Sequence, residues 1–352
     1  MTHSTKTSAI ISPSVDTWLV GGFMSSVLIL FLLFGARVPA ELILWNSAVL
    51  TVLLNGTHFM ASYRLLYVSK AQVLRYKAAA IYLPAALIGY AATALWAVSL
   101  NDQYAWMVDS LLAVTALYLA LHYTGQAWGM MASFAYLEQT PFQPLERRLF
   151  RICLRTLAAW HMAWAVGLIS TRPDWVEAVL TSLLPLLNIA AIATAAVGAA
   201  LFWRISKRTG RSVAARIWLP YFSLHVWYSF LWIYPQSLFW VQIAHSLQYL
   251  SFPARVEMNR LDAAYNADES RKEIFKYLTV LLMTSGVVFG LMPWAMGADV
   301  QGKSAYWAVL ASIINIHHYF IDGCVWHIGN PEVRRDLFSH LGGKSLSRSA
   351  ET

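Results

Sequence analysis

The sequence has few charged residues and only two cysteines, and both scarcities exclude classes of protein. Of the 352 residues, 12% are charged, which is about half of the share in a soluble globular domain. Cys153 and Cys324 are the only cysteines, too few for a disulfide framework or a thiolate metal site. There is also no Walker loop and no glycine-rich dinucleotide fingerprint. The chain therefore does not have the pattern of a soluble nucleotide-dependent enzyme.

Hydrophobic residues make up 58% of the chain, in runs of about 20 residues that are each long enough to cross a bilayer as a helix. The pattern predicts an all-α polytopic integral membrane protein with about ten transmembrane helices. The predicted spans are 17–36, 41–66, 78–100, 105–136, 152–171, 175–203, 217–235, 236–254, 274–296 and 305–328. We expect residues 1–16 to form an N-terminal tail, residues 17–330 a single transmembrane domain, and residues 331–352 a disordered C-terminal tail.

The basic residues define an orientation for these spans. All but three of the 26 Lys and Arg residues lie in the tails or beside the loops that follow even-numbered spans; the exceptions are Arg37, Arg172 and Lys303. The positive-inside rule then places both termini in the cytoplasm. We predict localisation in the bacterial inner membrane, with the lipid bilayer as a partner. The net charge of +8 is explained by this topology, so no nucleic-acid partner is expected.

Histidine is unusually frequent inside the predicted spans, where imidazole is costly to bury. Seven of the ten histidines lie there: His58, His122, His161, His225, His245, His317 and His318. Measured from the basic ends of their spans, they fall near the midplane or in the cytoplasmic half. Histidines with independent structural roles would scatter in depth, so the pattern predicts one histidine-rich layer inside the membrane.

Polar side chains follow several of these histidines by three, four or five residues. Positions three and four residues apart share a helical face, and a metal-bound imidazole usually donates its other N–H to a carboxylate, carbonyl or amide. We therefore expect residues beside the histidines to orient them. The predicted supporting residues are Gln126, Gln248, Tyr249 and Asp322.

Metal binding would offset the cost of burying these groups. The predicted ligands are His58, His122, His245, His317 and His318, and His161 and His225 would complete a second metal centre. Hydrogen-bonded contacts between helices remain the alternative for any single histidine. Histidine-rich ligation without thiolate suits one or two non-haem iron ions, with zinc or copper less favoured.

Four fragments together resemble the bacterial membrane carotenoid oxygenases of the Brp/Blh type, which cleave β-carotene to retinal. They are "NGTHFMAS" with His58, "LHYTGQAW" with His122, "IAHSLQYLSFPARV" with His245 and "IHHYFID" with His317 five residues before Asp322. The chain departs from the family pattern at Ser62, where members carry an acid, and at Tyr249, where members carry a second histidine. The resemblance implies a metal centre and a carotenoid-like substrate.

These observations lead to one main hypothesis and two alternatives. The main hypothesis is an integral-membrane, histidine-ligated iron oxygenase that acts with O2 on a lipophilic substrate such as a carotenoid or another lipid, with or without a redox partner. One alternative is an electron-transfer protein with b-type haem held between histidines on facing helices. The other is a proton-coupled transporter with a His/Asp relay.

Overall fold

The computed structural model describes residues 9–34, 49–169, 172–297, 305–326 and 330–341, and within these ranges the chain is all-helical, without strands. The N-terminal helices are α1 (Pro13–Val20), α2 (Phe23–Phe34), α3 (Thr57–Leu66, after a π-helical segment Thr51–Gly56) and α4 (Lys70–Arg75). Then follow α5 (Ala78–Leu100), α6 (Trp106–Leu137), α7 (Pro144–Gly167), α8 (Asp174–Thr209), α9 (Ala215–Ile233), α10 (Leu238–Ala264), α11 (Ala267–Ala295), α12 (Ala305–Val325) and α13 (Pro331–Phe338).

Five of these helices are long and apolar enough to cross a membrane: α5, α6, α8, α11 and α12. The number in the described part of the chain rises to six if the bent pair α1–α2 forms one span. Helices α7, α9 and α10 have sufficient length, but Arg, Gln, His, Trp and Tyr lower their mean hydropathy. The figure of about ten spans is therefore a prediction that goes beyond this count.

Polar side chains face the interior of the helical assembly, and apolar side chains cover its outside. On α8, Leu186, Ile189 and Ile192 are each more than 60% exposed. By contrast, His58 on α3 and His318 on α12 are at most 1% exposed. A soluble protein has the opposite distribution, whereas a bilayer solvates the apolar surface without cost. This arrangement supports membrane insertion and concentrates chemistry in the interior.

The two predicted tails contribute more to the fold than their sequences suggest. Asp16 is fully buried and accepts hydrogen bonds from the backbone of Ile10 and from Arg216. In the other tail, Leu337 and Phe338 at the end of α13 are at most 1% exposed. Within the tail predicted to be disordered, Pro331–Phe338 thus form helix α13, because Leu337 and Phe338 supply an apolar pair to bury. Residues 1–8 and 342–352 lie outside the described ranges.

Hydrogen bonds hold the C-terminal of these two segments against α10 and against the N-terminal one. The Asn259 side chain on α10 donates to the backbone carbonyls of Asp336 and Leu337. A ring nitrogen of His340 lies 2.8 Å from the carbonyl oxygen of Ala9. These two segments thus close one end of the assembly, and this closure shapes the cleft described below.

Gly56 marks the closest approach between the segment before α3 and helix α11. A Cβ atom at Gly56 would lie 2.1 Å from Ser285 Oγ and 2.7 Å from the Phe289 ring. We expect Gly56→Ala to reduce the free energy of unfolding by about 1–3 kcal/mol, since overpacking must move one helix. Gly89→Ala is the matched control, because a Cβ there meets no atom within 4 Å. Equal thermal unfolding of the two variants in detergent would contradict this packing.

Candidate metal centre

Four histidines from four helices converge in the interior of the protein. They are His58 on α3, His122 on α6, His245 on α10 and His318 on α12, and one ring nitrogen from each lies within 4.8 Å of the others. None of these helices is adjacent in sequence to another of the four. The cluster therefore arises from tertiary packing and not from a local binding loop.

The spacing of the four ring nitrogens fits a single metal ion. Bonds of about 2.0–2.1 Å to imidazole nitrogen place two ligand atoms at most about 4.2 Å apart across the ion. The observed limit of 4.8 Å exceeds this by an amount that small movements of the side chains can close. At the short end, the Nε2 atoms of His122 and His245 lie 2.9 Å apart. Four imidazoles can thus share one ion with little rearrangement.

Several nitrogen atoms of the cluster are buried without hydrogen bonds. Among the described residues, His58 Nε2, His245 Nδ1 and both ring nitrogens of His318 have no partner. A buried polar atom without a partner costs about 1–3 kcal/mol, and such atoms in native proteins call for an explanation. A bound cation would satisfy one ring nitrogen of each imidazole, which is the chemistry that this donor set suits.

Asp322 adds a carboxylate to the edge of the cluster. Its Oδ2 atom lies 3.5 Å from His318 Nε2 and 3.7 Å from His122 Nε2. Its Oδ1 atom accepts hydrogen bonds of 2.9 Å from the hydroxyls of Ser62 and Tyr249. The two oxygens therefore have different environments. Oδ1 is held by hydroxyl groups, and Oδ2 is free to face a positive charge among the imidazoles.

A further residue extends this hydrogen-bond network. The indole N–H of Trp326 donates to the Tyr249 hydroxyl over 2.5 Å, and the hydroxyls of Ser62 and Tyr249 also lie 2.5 Å apart. The Tyr249 ring packs edge-on against the His58 ring, with centroids 4.4 Å apart. These contacts from α3, α10 and the end of α12 fix the orientation of the Asp322 carboxylate.

The same sequence spacing recurs on all four helices. Each histidine is followed four residues later by a polar side chain on the same face; the four pairs are His58–Ser62, His122–Gln126, His245–Tyr249 and His318–Asp322. Three of the four polar partners join in one network around the Asp322 carboxylate. The helices thus present a layer of imidazoles and, one turn further along, a layer of polar groups, three of which form this network.

His317, one of the predicted ligands, lies outside the cluster. One ring nitrogen of His317 is 2.9 Å from the Tyr63 hydroxyl, and the other is 2.7 Å from the backbone oxygen of Ala79. Neighbouring residues on a helix point about 100° apart, so His317 and His318 cannot face the same ion. The structure therefore assigns the acid partner Asp322 to His318, not to His317 as the family spacing predicts.

The two additional predicted ligands, His161 and His225, also lie outside the cluster. The His225 ring nitrogens are within hydrogen-bond distance of Thr194 Oγ1 and the Tyr221 carbonyl oxygen. His161 is buried beside the ring of Tyr228, and neither of its ring nitrogens has a hydrogen-bond partner among the described residues. Neither residue is placed to complete a second ion beside the first.

The two glutamines predicted to support the ligands make other contacts in the structure. Gln126 donates to the backbone carbonyl of His245 over 3.2 Å and so holds α10 against α6, without touching an imidazole nitrogen. The Gln248 amide lies against the turn between α1 and α2, since a Cβ at Gly22 would approach its Nε2 atom to 2.4 Å. Tyr249 and Asp322, in contrast, contact the cluster directly.

Sequence reasoning did not identify Ser246 and Asn55 as supporting residues. Ser246 Oγ lies 3.3 Å from His58 Nδ1 and donates to Asn55 Oδ1 over 2.9 Å. Because this contact orients the His58 ring, its Nε2 atom is the one available to the cluster. Ser246 directly follows His245 in "HSLQY", but its side chain contacts His58 on another helix. Helical spacing along α10 therefore carries no signal for this pairing.

An apolar cleft of about 400 Å³ opens beside the cluster between α6 and α12. Its lining includes His122, Gln126, Tyr249 and Asp322, and the remaining lining residues are aromatic, aliphatic or glycine. This size and composition are typical of pockets for lipophilic small molecules. The cleft therefore brings an apolar ligand next to the imidazoles and the carboxylate.

Comparison of the chain with protein-family models, with curated proteins and with solved structures found no match.

Proposed function

We propose that this protein is an integral-membrane, histidine-ligated non-haem iron oxygenase that acts with O2 on a lipophilic substrate. One observation carries the proposal: four buried imidazoles and a carboxylate converge at the wall of an apolar cleft. A purely structural polar cluster would not need an adjoining cavity. A transport site for a polar solute would not need apolar walls.

The donor set favours iron and a single ion. Imidazole with an optional carboxylate and no thiolate suits iron, with zinc or copper as the other metals that accept these ligands. Four histidines surround one point, whereas His161, His225 and His317 lie elsewhere, so the geometry supports one ion over two. Bound iron would supply O2 activation. The protein would supply the ligands His58, His122, His245 and His318.

The supporting residues have defined roles in this proposal. Ser62 and Tyr249 hold one oxygen of Asp322, so that the other can neutralise part of the charge of a cation among the imidazoles. Tyr249 and Asp322 also line the cleft, and they can therefore exchange hydrogen bonds with a substrate or product. The apolar lining excludes water from the same space.

The proposed membrane arrangement has about ten crossings and cytoplasmic termini, in a bacterial inner membrane. Each of the ten spans expected from the sequence overlaps a described helical segment. Helices α7, α9 and α10 would cross with polar faces turned inward, which their hydropathy alone does not reveal. The orientation rests on the distribution of Lys and Arg.

The haem alternative fits the cluster less well. A porphyrin with two axial histidines needs one imidazole on each face of its plane, with room for the macrocycle between them. Here, four rings pack against one another with centroid separations from 4.3 to 6.2 Å. None of these five ring pairs is separated by a free plane wide enough for a macrocycle. A proton-coupled transporter remains the alternative that metal analysis must separate from the enzyme.

Metal content and oxygen consumption of the purified protein test the proposal. We expect about one iron per chain, no Soret band, and O2 uptake that depends on added apolar lipid, since four ligands meet at one point. His245→Ala should remove both the metal and the uptake. Less than about 0.3 metal per chain, unchanged in His245→Ala, would contradict the proposal. Metal-independent solute uptake coupled to a proton gradient would favour the transporter.

A further inference from the structure

The cleft beside the histidine cluster is a groove with one open side and one closed end. Its residues on α6 recur at helical spacing, from Tyr118 through His122, Gly125 and Gly129 to Met130. At 1.5 Å per residue, this wall is about 18 Å long, and His122 stands one turn from its first residue. The groove thus extends past the cluster in one direction much further than in the other.

The open side of the groove is bounded by two glycines on facing helices. Gly125 on α6 and Gly323 on α12 are both exposed, and a Cβ atom at either position would meet no atom within 4 Å. The neighbouring Leu121 is 49% exposed. In a membrane, this side faces the lipid. The absence of side chains at the two glycines leaves a slot through which a chain can pass sideways.

The closed end of the groove consists of buried side chains from four parts of the chain. Met130, Phe252 and Leu337 are each at most 8% exposed, and Trp326 lies beside them in the cleft lining. Leu337 belongs to α13, which the bonds from Asn259 to the Asp336 and Leu337 carbonyls hold in place. The end wall is therefore fixed by the folded C-terminal segment.

We propose that the groove accepts the end of one hydrocarbon chain from the bilayer and measures where along that chain the reaction occurs. The inference rests on the proposed function for the reaction itself. The chain end stops against Met130, Phe252 and Leu337, and an interior carbon then lies opposite His122 and Asp322. The path from Met130 back to His122 is about 12 Å along α6. The reacting position is therefore within about ten carbons of the inserted end, and the rest of the substrate stays in the lipid.

Photo-crosslinking in lipid nanodiscs tests this inference without measuring turnover. The probes are palmitic acid analogues with a diazirine either at the methyl end or about nine carbons away from it. A second set carries the diazirine on an isoprenoid chain, which distinguishes acyl from isoprenoid sources of the hydrocarbon. For at least one chain type, we expect the end-labelled probe to react with Met130, Phe252 or Leu337, and the other probe to react near His122 or Gly323.

Glycine variants provide the matched comparison. Gly125→Leu and Gly323→Leu should reduce labelling inside the groove at least about fivefold, since a side chain closes the slot. Gly89→Leu on α5 is the control, because Gly89 is also exposed and a Cβ there meets no atom within 4 Å. Thermal unfolding, measured on the same samples, shows whether each variant keeps its fold.

The outcomes separate the two proposals. Labelling scattered over lipid-facing helices in the wild-type protein, or groove labelling unchanged in Gly125→Leu and Gly323→Leu, overturns the inference even if iron is bound. Position-specific groove labelling in a protein that binds no metal supports the chain-end groove and contradicts the proposed oxygenase. Loss of labelling in Gly125→Leu, but not in Gly89→Leu, with the unfolding temperature of both close to that of the wild type, supports the inference.

Discussion

His318→Ala should abolish metal binding, whereas His317→Ala, one residue away, should leave metal binding intact. His318 points into the four-histidine cluster, while His317 contacts Tyr63 and Ala79 on its other side. We expect the iron content of His318→Ala to fall below about a tenth of the wild-type value, since losing a direct ligand exceeds the 10–100-fold cost of losing a supporting group. Metal analysis of the two purified variants decides the assignment.

His317→Ala is a closely matched control for His318→Ala. Both substitutions remove a buried imidazole from the same turn of α12, so their effects on membrane insertion and hydrophobicity are similar. His317→Ala leaves Tyr63 without one hydrogen bond, which costs about 1–3 kcal/mol of stability but touches no ligand. The reverse result, with metal lost only in His317→Ala, would show that His317 is the ligand, as the carotenoid oxygenase spacing predicts.

Alanine variants of the remaining histidines should divide in the same way between loss and retention of the metal. We expect alanine at His58, His122 or His245 to act like alanine at His318, because each contributes one nitrogen to the same point. Alanine at His161 or His225 should retain the metal, since these residues lie outside the cluster. Equal metal loss in both groups would indicate a second ion or a general folding defect.

Asp322→Asn should weaken metal binding by about 10–100-fold and at the same time stabilise the metal-free protein. The amide keeps the size of the carboxylate, and its oxygen can still accept from Ser62 and Tyr249. Its NH2 group, however, brings donors towards the imidazoles where Asp322 Oδ2 faces a cation. In the absence of metal, the substitution also removes an ionisable group that is costly to bury.

These opposite effects distinguish a metal-supporting carboxylate from a structural one. A carboxylate that only holds helices together would lower thermal stability when replaced, with or without metal. We expect thermal unfolding with and without added Fe²⁺ to show a smaller metal-dependent increase for Asp322→Asn than for the wild type. Tyr249→Phe is the control, since it removes one hydrogen bond to Asp322 but keeps the charge. An unchanged metal-dependent increase in Asp322→Asn would contradict the assigned role.

Much of the candidate site could be predicted because helical spacing is a local property. His318 and Asp322 lie four residues apart, so any helix containing them places both on one face. The same holds for His245 and Tyr249. The strong hydropathy around these residues also indicates that the helices are buried in a membrane or in a protein core. For these reasons the sequence could single out the four histidines that meet in the structure, although their meeting depends on the packing of four helices.

The remaining features depend on contacts between distant segments. Helical phase relative to neighbouring helices decides whether His317 or His318 faces the cluster, and no spacing within α12 contains that information. Ser62 reaches Asp322 across 260 positions of sequence, and Ser246 orients His58 instead of its neighbour His245. The C-terminal segment folds as α13 because Leu337 and Phe338 find apolar partners that the tail itself does not reveal.

The sequence by itself determined that this protein is helical and largely apolar, and it predicted one histidine-rich layer. These properties follow from composition and from the period of the α-helix, which act within about 20 residues. Only the tertiary structure decided which histidines share one point, which oxygen of Asp322 faces them, and where the cleft ends. Those features depend on the rotation and crossing of packed helices, which arise from side-chain complementarity across the whole chain.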